Sequence, residues 1–206
     1  MTVRPPTPLA VRAPVTDSTG NPGPVAGTLL SVAPAAGPLP QLLRTAIDAE
    51  QVGATRIHLA ADQPEVADAV HAIRSQTGLV ITADPGTAAA RLTDPLGPDF
   101  TEVLLDDALA GPEMLTALAG IAADHPGGAS VSGRGPAALP VLLAALAVGL
   151  HLRVGTADAP AVPAATGLAG APRDDIALVA RAAGLARIAG RPPLPRPAAL
   201  AVLGLS

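Results

Sequence analysis

Apolar positions along this chain follow two alternating rhythms. Short runs rich in Val, Ile, Leu and Thr at 28–33, 55–60, 79–83, 101–106, 129–132 and 150–155 predict strands. Between them, apolar residues return every three or four positions, as on one face of a helix. Leu42, Leu43, Ala46 and Ile47 mark a helix over 39–51, which Gly53 ends. Val66, Ala69, Val70 and Ile73 mark another over 64–76, and Ile176, Val179, Ala180 and Ala183 one over 174–189. Further helices are predicted over 112–124, with Pro112 in the first turn, and over the apolar run 137–148. Shorter helical turns are expected at 87–92 and 197–203.

Strands alternating with helices at these spacings predict βαβ units and a parallel sheet. The expected fold is α/β: an abbreviated or incomplete (β/α) TIM-type barrel with parallel strands. A full barrel takes about 250 residues and roughly 200 at the minimum, and this chain has 206. An open doubly wound sheet is the competing architecture. No Gly-x-Gly-x-x-Gly follows the first strand, which weakens a dinucleotide reading. Residues 27–206 read as a single barrel-like domain. Residues 1–26, rich in Pro, Thr and Gly, read as an extended arm in which 9–15 offers a seventh strand.

Composition sharpens this picture. Hydrophobic residues make up 49% and charged residues 15%, so a buried core is available. Phe100 is the one residue of the Phe, Trp and Tyr class, so packing rests on small aliphatic side chains. The net charge of −4 is spread along the chain, with no basic stripe for nucleic acid. The absence of cysteine excludes disulfides, thiolate metal sites and cysteine nucleophiles. The most apolar run, 137–152, is short for a membrane span and contains Pro140. With no apolar signal core at the start, a cytoplasmic protein without membrane partners is expected.

Several polar residues sit where chemistry is plausible. Residues two apart on a strand face the same way, so His151 and Arg153 both face inward. An arginine there needs a partner, because an unpaired buried charge is costly; Asp158 and Asp62 are the candidates. Asp106-Asp107 follows a strand, on the face where barrels keep their sites. Asp174-Asp175 begins a helix, where acids meet the positive dipole end.

The stretch Gly149-Leu150-His151-Leu152-Arg153-Val154-Gly155-Thr156-Ala157-Asp158, with the closing Gly204-Leu205, resembles the C-terminal third of the β-keto acid cleavage enzymes. That family includes 3-keto-5-aminohexanoate cleavage enzyme. A second island, from about Leu39 to Asp62, resembles its strand bearing His-x-His. The resemblance implies a zinc-dependent TIM barrel that condenses a β-keto acid with acetyl-CoA, giving a CoA ester and acetoacetate. It places His58 at one zinc position. Ala60 stands at the second histidine and Ala157 at the ligating glutamate. Catalytic zinc normally takes three protein ligands, so the expectation is no resident cofactor, unless zinc or another divalent metal is held by a site rebuilt from His58, His151 or Asp84. Arg153 and Asp158 match the family's catalytic arginine and aspartate. Thr82 stands near the family's serine at the end of the third strand. Arg134, within Gly133-Arg134-Gly135, matches a glycine turn and implies contact with an anion such as a coenzyme A phosphate. The implied partners are a small carboxylate or β-keto acid, with acetyl-CoA, and further copies of the chain in a homo-oligomer. Two βα units of the family pattern are expected to be absent between the strand near Leu104 and the helix near Leu115. The alternative function is a non-catalytic carboxylate-binding or structural protein on the same scaffold.

Overall fold

The structure is a computed structural model, and it describes residues 27–105, 112–134, 138–158 and 174–205. The arm at 1–26, with its expected strand at 9–15, and the pair Asp106-Asp107 lie outside the described residues.

Six strands form one parallel sheet: β1 (Leu30–Val32), β2 (Arg56–Leu59), β3 (Val80–Ala83), β4 (Thr101–Leu105), β5 (Ala129–Gly133) and β6 (His151–Val154). Their order is β3-β2-β1-β6-β5-β4. From β1 to β3 and again from β4 to β6, each connection moves one place in the same direction. A doubly wound sheet reverses direction at a switch point; this one does not. The order is a barrel walk whose closing step, from β3 to β4, is left unpaired.

The helices agree. They are α1 (Leu39–Val52), α2 (Val66–Gln76), α3 (Pro112–Asp124), α4 (Ala138–Ala147), α5 (Asp175–Ile188) and α6 (Arg196–Val202). The first five touch in the sequence α2-α1-α5-α4-α3, so they make one layer on one face of the sheet. The result is a curled half-barrel with its helices outside.

The placement of the opening corrects the sequence expectation. The segment from Leu104 to Leu115 was expected to lack two βα units. In the structure β4 and β5 pair in full register, from Thr101 opposite Ala129 to Leu105 opposite Gly133, with α3 between them. That unit is regular. The sheet is interrupted between β3 and β4, where the chain carries only a 3₁₀ turn, Ala89–Arg91. Asp94 covers the resulting edge of β3. Its N–H donates to the Ile81 carbonyl at 2.7 Å and its Oδ2 accepts from the Ile81 N–H at 3.0 Å. An edge strand blocked in this way does not recruit another strand at that position.

Parallel sheets are usually apolar on both faces. Here they alternate. Leu30, Val32, Ile57, Leu59, Ile81, Val131 and Leu152 point outward and are buried with the helix stripes, including Leu42, Ala46, Ile73, Leu118, Val141, Val179 and Ala183. The opposite parity carries Ser31, Arg56, His58, Thr82, Glu102, Ser130, Ser132, His151 and Arg153. The core is aliphatic and lies between sheet and helices; the concave face is polar.

Local signals fix the helix ends. Gly53 takes φ 115° and lets its N–H meet the Glu50 carbonyl, ending α1. Glu65 also adopts a left-handed conformation, φ 47°, so α2 begins at Val66 instead of Pro64. Asp174 caps α5 by accepting the Ala177 N–H at 2.7 Å.

The N-terminal ends of the strands are closed by the tail. Pro192 and Leu194 exchange backbone bonds with Thr28, and the Leu203 carbonyl accepts from Gly97. Leu29, Val80, Phe100, Leu194, Ala199 and Leu203 form a second apolar cluster there. No helix among the described residues is long and apolar enough to cross a membrane.

Candidate active site

Among the described residues the tail seals one end of the half-barrel, and the concave face opens at the C-terminal ends of the strands. A cavity of about 460 Å³ lies there, lined by His58, Asp84, Glu102, Ser132, Arg134, Arg153 and Asp158 among others. Active sites of (β/α) barrels occupy this end.

Glu102 is the hub. Each strand contributes inward side chains at alternate positions, and β4 places Glu102 across the interior from β2. Its Oε1 accepts from Arg56 Nη2 and, at 3.3 Å, from Arg153 Nη1. Its Oε2 lies 3.2 Å from His58 Nδ1. Burial by itself would raise the Glu102 pKa. Arg56, the His58 hydrogen bond and Arg153 outweigh it and hold the carboxyl well below the usual carboxylate range. Glu102 is therefore a carboxylate at neutral pH.

Arg56 lies beneath the cavity and is fully buried. Its Nε donates to Ser31 Oγ at 2.8 Å, and its guanidinium sits 5.6 Å from the centre of the Phe100 ring. Burial lowers its pKa from the ordinary arginine value, against the pull of Glu102. An arginine remains charged under such a shift.

Arg153 and Asp158 form a two-pronged pair, with Nε to Oδ2 at 2.8 Å and Nη2 to Oδ1 at 2.9 Å. Ser132 Oγ also donates to Asp158 Oδ2 at 2.9 Å. Burial lowers the Arg153 pKa, but Asp158 and Glu102 raise it further, for a net increase. Asp158 is the interior partner that Arg153 requires; Asp62, the other candidate, lies exposed at the rim.

The structure brings His58, Arg153 and Asp158 to one cavity and puts Arg134, exposed, at its rim. Thr82 lies behind His58: its hydroxyl is 3.3 Å from Nδ1 and 3.5 Å from the Ile57 carbonyl that accepts from it. His151 faces inward, as its parity implies, but at the sealed end. There Nδ1 accepts the Leu29 N–H at 3.0 Å and the ring stacks on Phe100, with centres 6.1 Å apart. Burial, with Arg191 and Arg56 nearby, lowers its pKa to about 4. As the first residue of β6 it does not line the cavity and has no part in a site with His58. Asp175, beyond its place at the helix start, holds the Thr156 N–H at 2.7 Å and so anchors the turn after β6.

Arg56 and Glu102 were not singled out in the sequence. The available signal was parity: Arg56 is two residues before His58, and Glu102 is a lone acid flanked by apolar strand positions.

Zinc of the family type needs donors at positions 60 and 157. Both side chains line the cavity, and both are alanine methyls. His58 Nε2 has Asp84 Oδ1 at 3.3 Å, and Nδ1 is committed to Glu102. Among the described residues no group of three or more His, Asp or Glu is placed to hold a metal ion. The donor set does not fit a three-ligand zinc centre.

No curated protein sequence matches the chain. Residues 107–205, which carry α3, β5, α4, β6, α5 and α6, match the family model of the beta-keto acid cleavage enzymes. With that match, the barrel walk and the paired Arg153 and Asp158, residues 107–205 of this chain place it, as a divergent relative, with the β-keto acid cleavage enzyme family.

Proposed function

We propose that this chain binds a small β-keto carboxylate at the open end of the half-barrel and acts on it without zinc. The observation that carries the reading is the pairing of alanine at positions 60 and 157 with an otherwise charged cavity. The family reaction cleaves a carbon–carbon bond while metal polarises the keto acid. Without that Lewis acid, the chemistry left to these side chains is proton transfer and charge stabilisation. Arg134 at the rim supports an anion contact, either the substrate carboxylate or a phosphate of acetyl-CoA. Because all three Arg153 nitrogens are already engaged by carboxylates, that residue acts in this reading by holding Asp158 and Glu102 in place.

A non-catalytic carboxylate-binding role is the second reading, favoured by the same engagement of Arg153. Two experiments separate them. Purified protein mixed with acetyl-CoA and a panel of β-keto acids is assayed for new CoA esters, with elemental analysis of the same sample. Ester formation without bound metal supports zinc-free acyl transfer. Ester formation that tracks a stoichiometric metal refutes the zinc-free reading. Binding of the acids without any turnover favours the second.

A further inference from the structure

We infer that Glu102 and His58 form a proton-transfer dyad in which His58 Nε2 removes a proton from the carbon between the keto and carboxylate groups of a β-keto carboxylate. The inference rests on the reading of the cavity as a β-keto carboxylate site and adds the base.

His58 is 2% exposed, so its two ring nitrogens see a fixed environment. Nδ1 faces Glu102 Oε2 at 3.2 Å and Thr82 Oγ1 at 3.3 Å. A carboxylate can only accept, so Glu102, facing Nδ1, favours the proton there, and the Thr82 hydroxyl can accept from the same proton. That leaves the lone pair on Nε2. Nε2 has no hydrogen-bond partner, although it is buried and its residue lines the cavity. Asp84 Oδ1, at 3.3 Å, is close but out of hydrogen-bond alignment. A carboxylate that fixes the tautomer of a histidine from behind, with the second nitrogen aimed at the ligand, is the arrangement of a general base.

The other buried acid of the cavity is less free. Asp158 accepts three hydrogen bonds from Arg153 and Ser132, which occupy both of its oxygens. It matches the family's catalytic aspartate, and here each of its oxygens is already held by a guanidinium or a hydroxyl. The task of proton removal passes to His58 Nε2, which is buried and has no hydrogen-bond partner. In the step, the C–H bond breaks, the proton bonds to Nε2, and the electron pair moves onto the keto oxygen as an enolate. The Nε2–H then trades its proton with water, and return of that solvent proton from Nε2 to carbon completes an exchange.

Acetoacetate in D₂O tests the step by proton NMR. The protein is expected to speed loss of the methylene signal above the protein-free rate, and His58→Gln to lower that increment by about 100-fold or more. Saturation-transfer NMR on the same samples separates the two levels. Acetoacetate that binds wild-type protein without faster exchange overturns the dyad and leaves the cavity reading standing; absence of binding overturns both. Undiminished exchange in a folded His58→Gln variant also overturns the dyad. Should that variant not fold, the imidazole nitrogen-15 shifts of wild-type protein decide. A proton on Nδ1 and none on Nε2 of His58 support the dyad, and a protonated Nε2 overturns it.

Discussion

Replacing Glu102 with glutamine preserves shape and removes one charge. In the structure that charge faces two buried guanidinium groups, Arg56 with a fully buried side chain and Arg153 with 15% of its side chain exposed. Glu102 itself is 19% exposed, so solvent screens these pairs weakly. Arg153 keeps Asp158 in the variant, but Arg56 keeps only the Ser31 hydroxyl and the face of Phe100. Breaking a buried pair by removing one partner costs about 3–5 kcal/mol. Glu102→Gln is expected to lose that much stability in urea unfolding at pH 7. Arg56→Met with Glu102→Gln is expected to be less destabilised than the two single changes added together, because the second removes the charge the first leaves unpaired. The pH dependence has a definite sign. The folded-state pKa of Glu102 is depressed, so its stabilising contribution is complete above the unfolded value of about 4.3 and is lost as pH falls below it toward the folded value. The stability gap between wild type and Glu102→Gln should therefore narrow on acidification below about 4.3. A loss under about 1 kcal/mol, as for an exposed ion pair, or a gap that widens in acid, would refute the reasoning.

Other outcomes follow from the same structure. His151 is held neutral, with its pKa lowered from 6.5 to about 4; the unfolded chain takes up a proton first as pH falls. Stability should decline by about 3 kcal/mol between pH 6.5 and 4 on this account, and His151→Asn, which keeps an acceptor for the Leu29 N–H, should flatten that slope in denaturant titrations. A Cβ at Gly155 would lie 1.9 Å from the Ala33 carbonyl oxygen, so Gly155→Ala should cost about 1–3 kcal/mol or more, read as a lower unfolding midpoint. Asp94→Ala uncovers the Ile81 N–H on the β3 edge, and its self-association should exceed that of wild type by size-exclusion chromatography at matched concentration.

Much of the scaffold was legible because hydrophobic periodicity is a local signal. The stripe Ile176, Val179, Ala183 announces α5, and Gly53 and Asp174 mark helix ends through their own backbone and side-chain chemistry. The position of the opening was not legible. It depends on which strands pair across the whole sheet, and the 105–112 connection looks short only until β4 is seen beside β5. For the same reason His58, Arg153 and Asp158 could be named from motifs, whereas the meeting of Arg56 on β2 with Glu102 on β4 required the curl of the sheet. His151 shows the limit of parity: it gives the face on which a side chain lies, but its place at the sealed end comes from the tail that packs Leu194 and Leu203 below it.

Zinc content of the purified 206-residue chain tests the central claim most directly. Elemental analysis after exposure to one equivalent of zinc and exhaustive buffer exchange is predicted to find far less than one ion per chain, with no change between wild type and His58→Gln. One tightly retained ion per chain that is lost in His58→Gln would contradict the account.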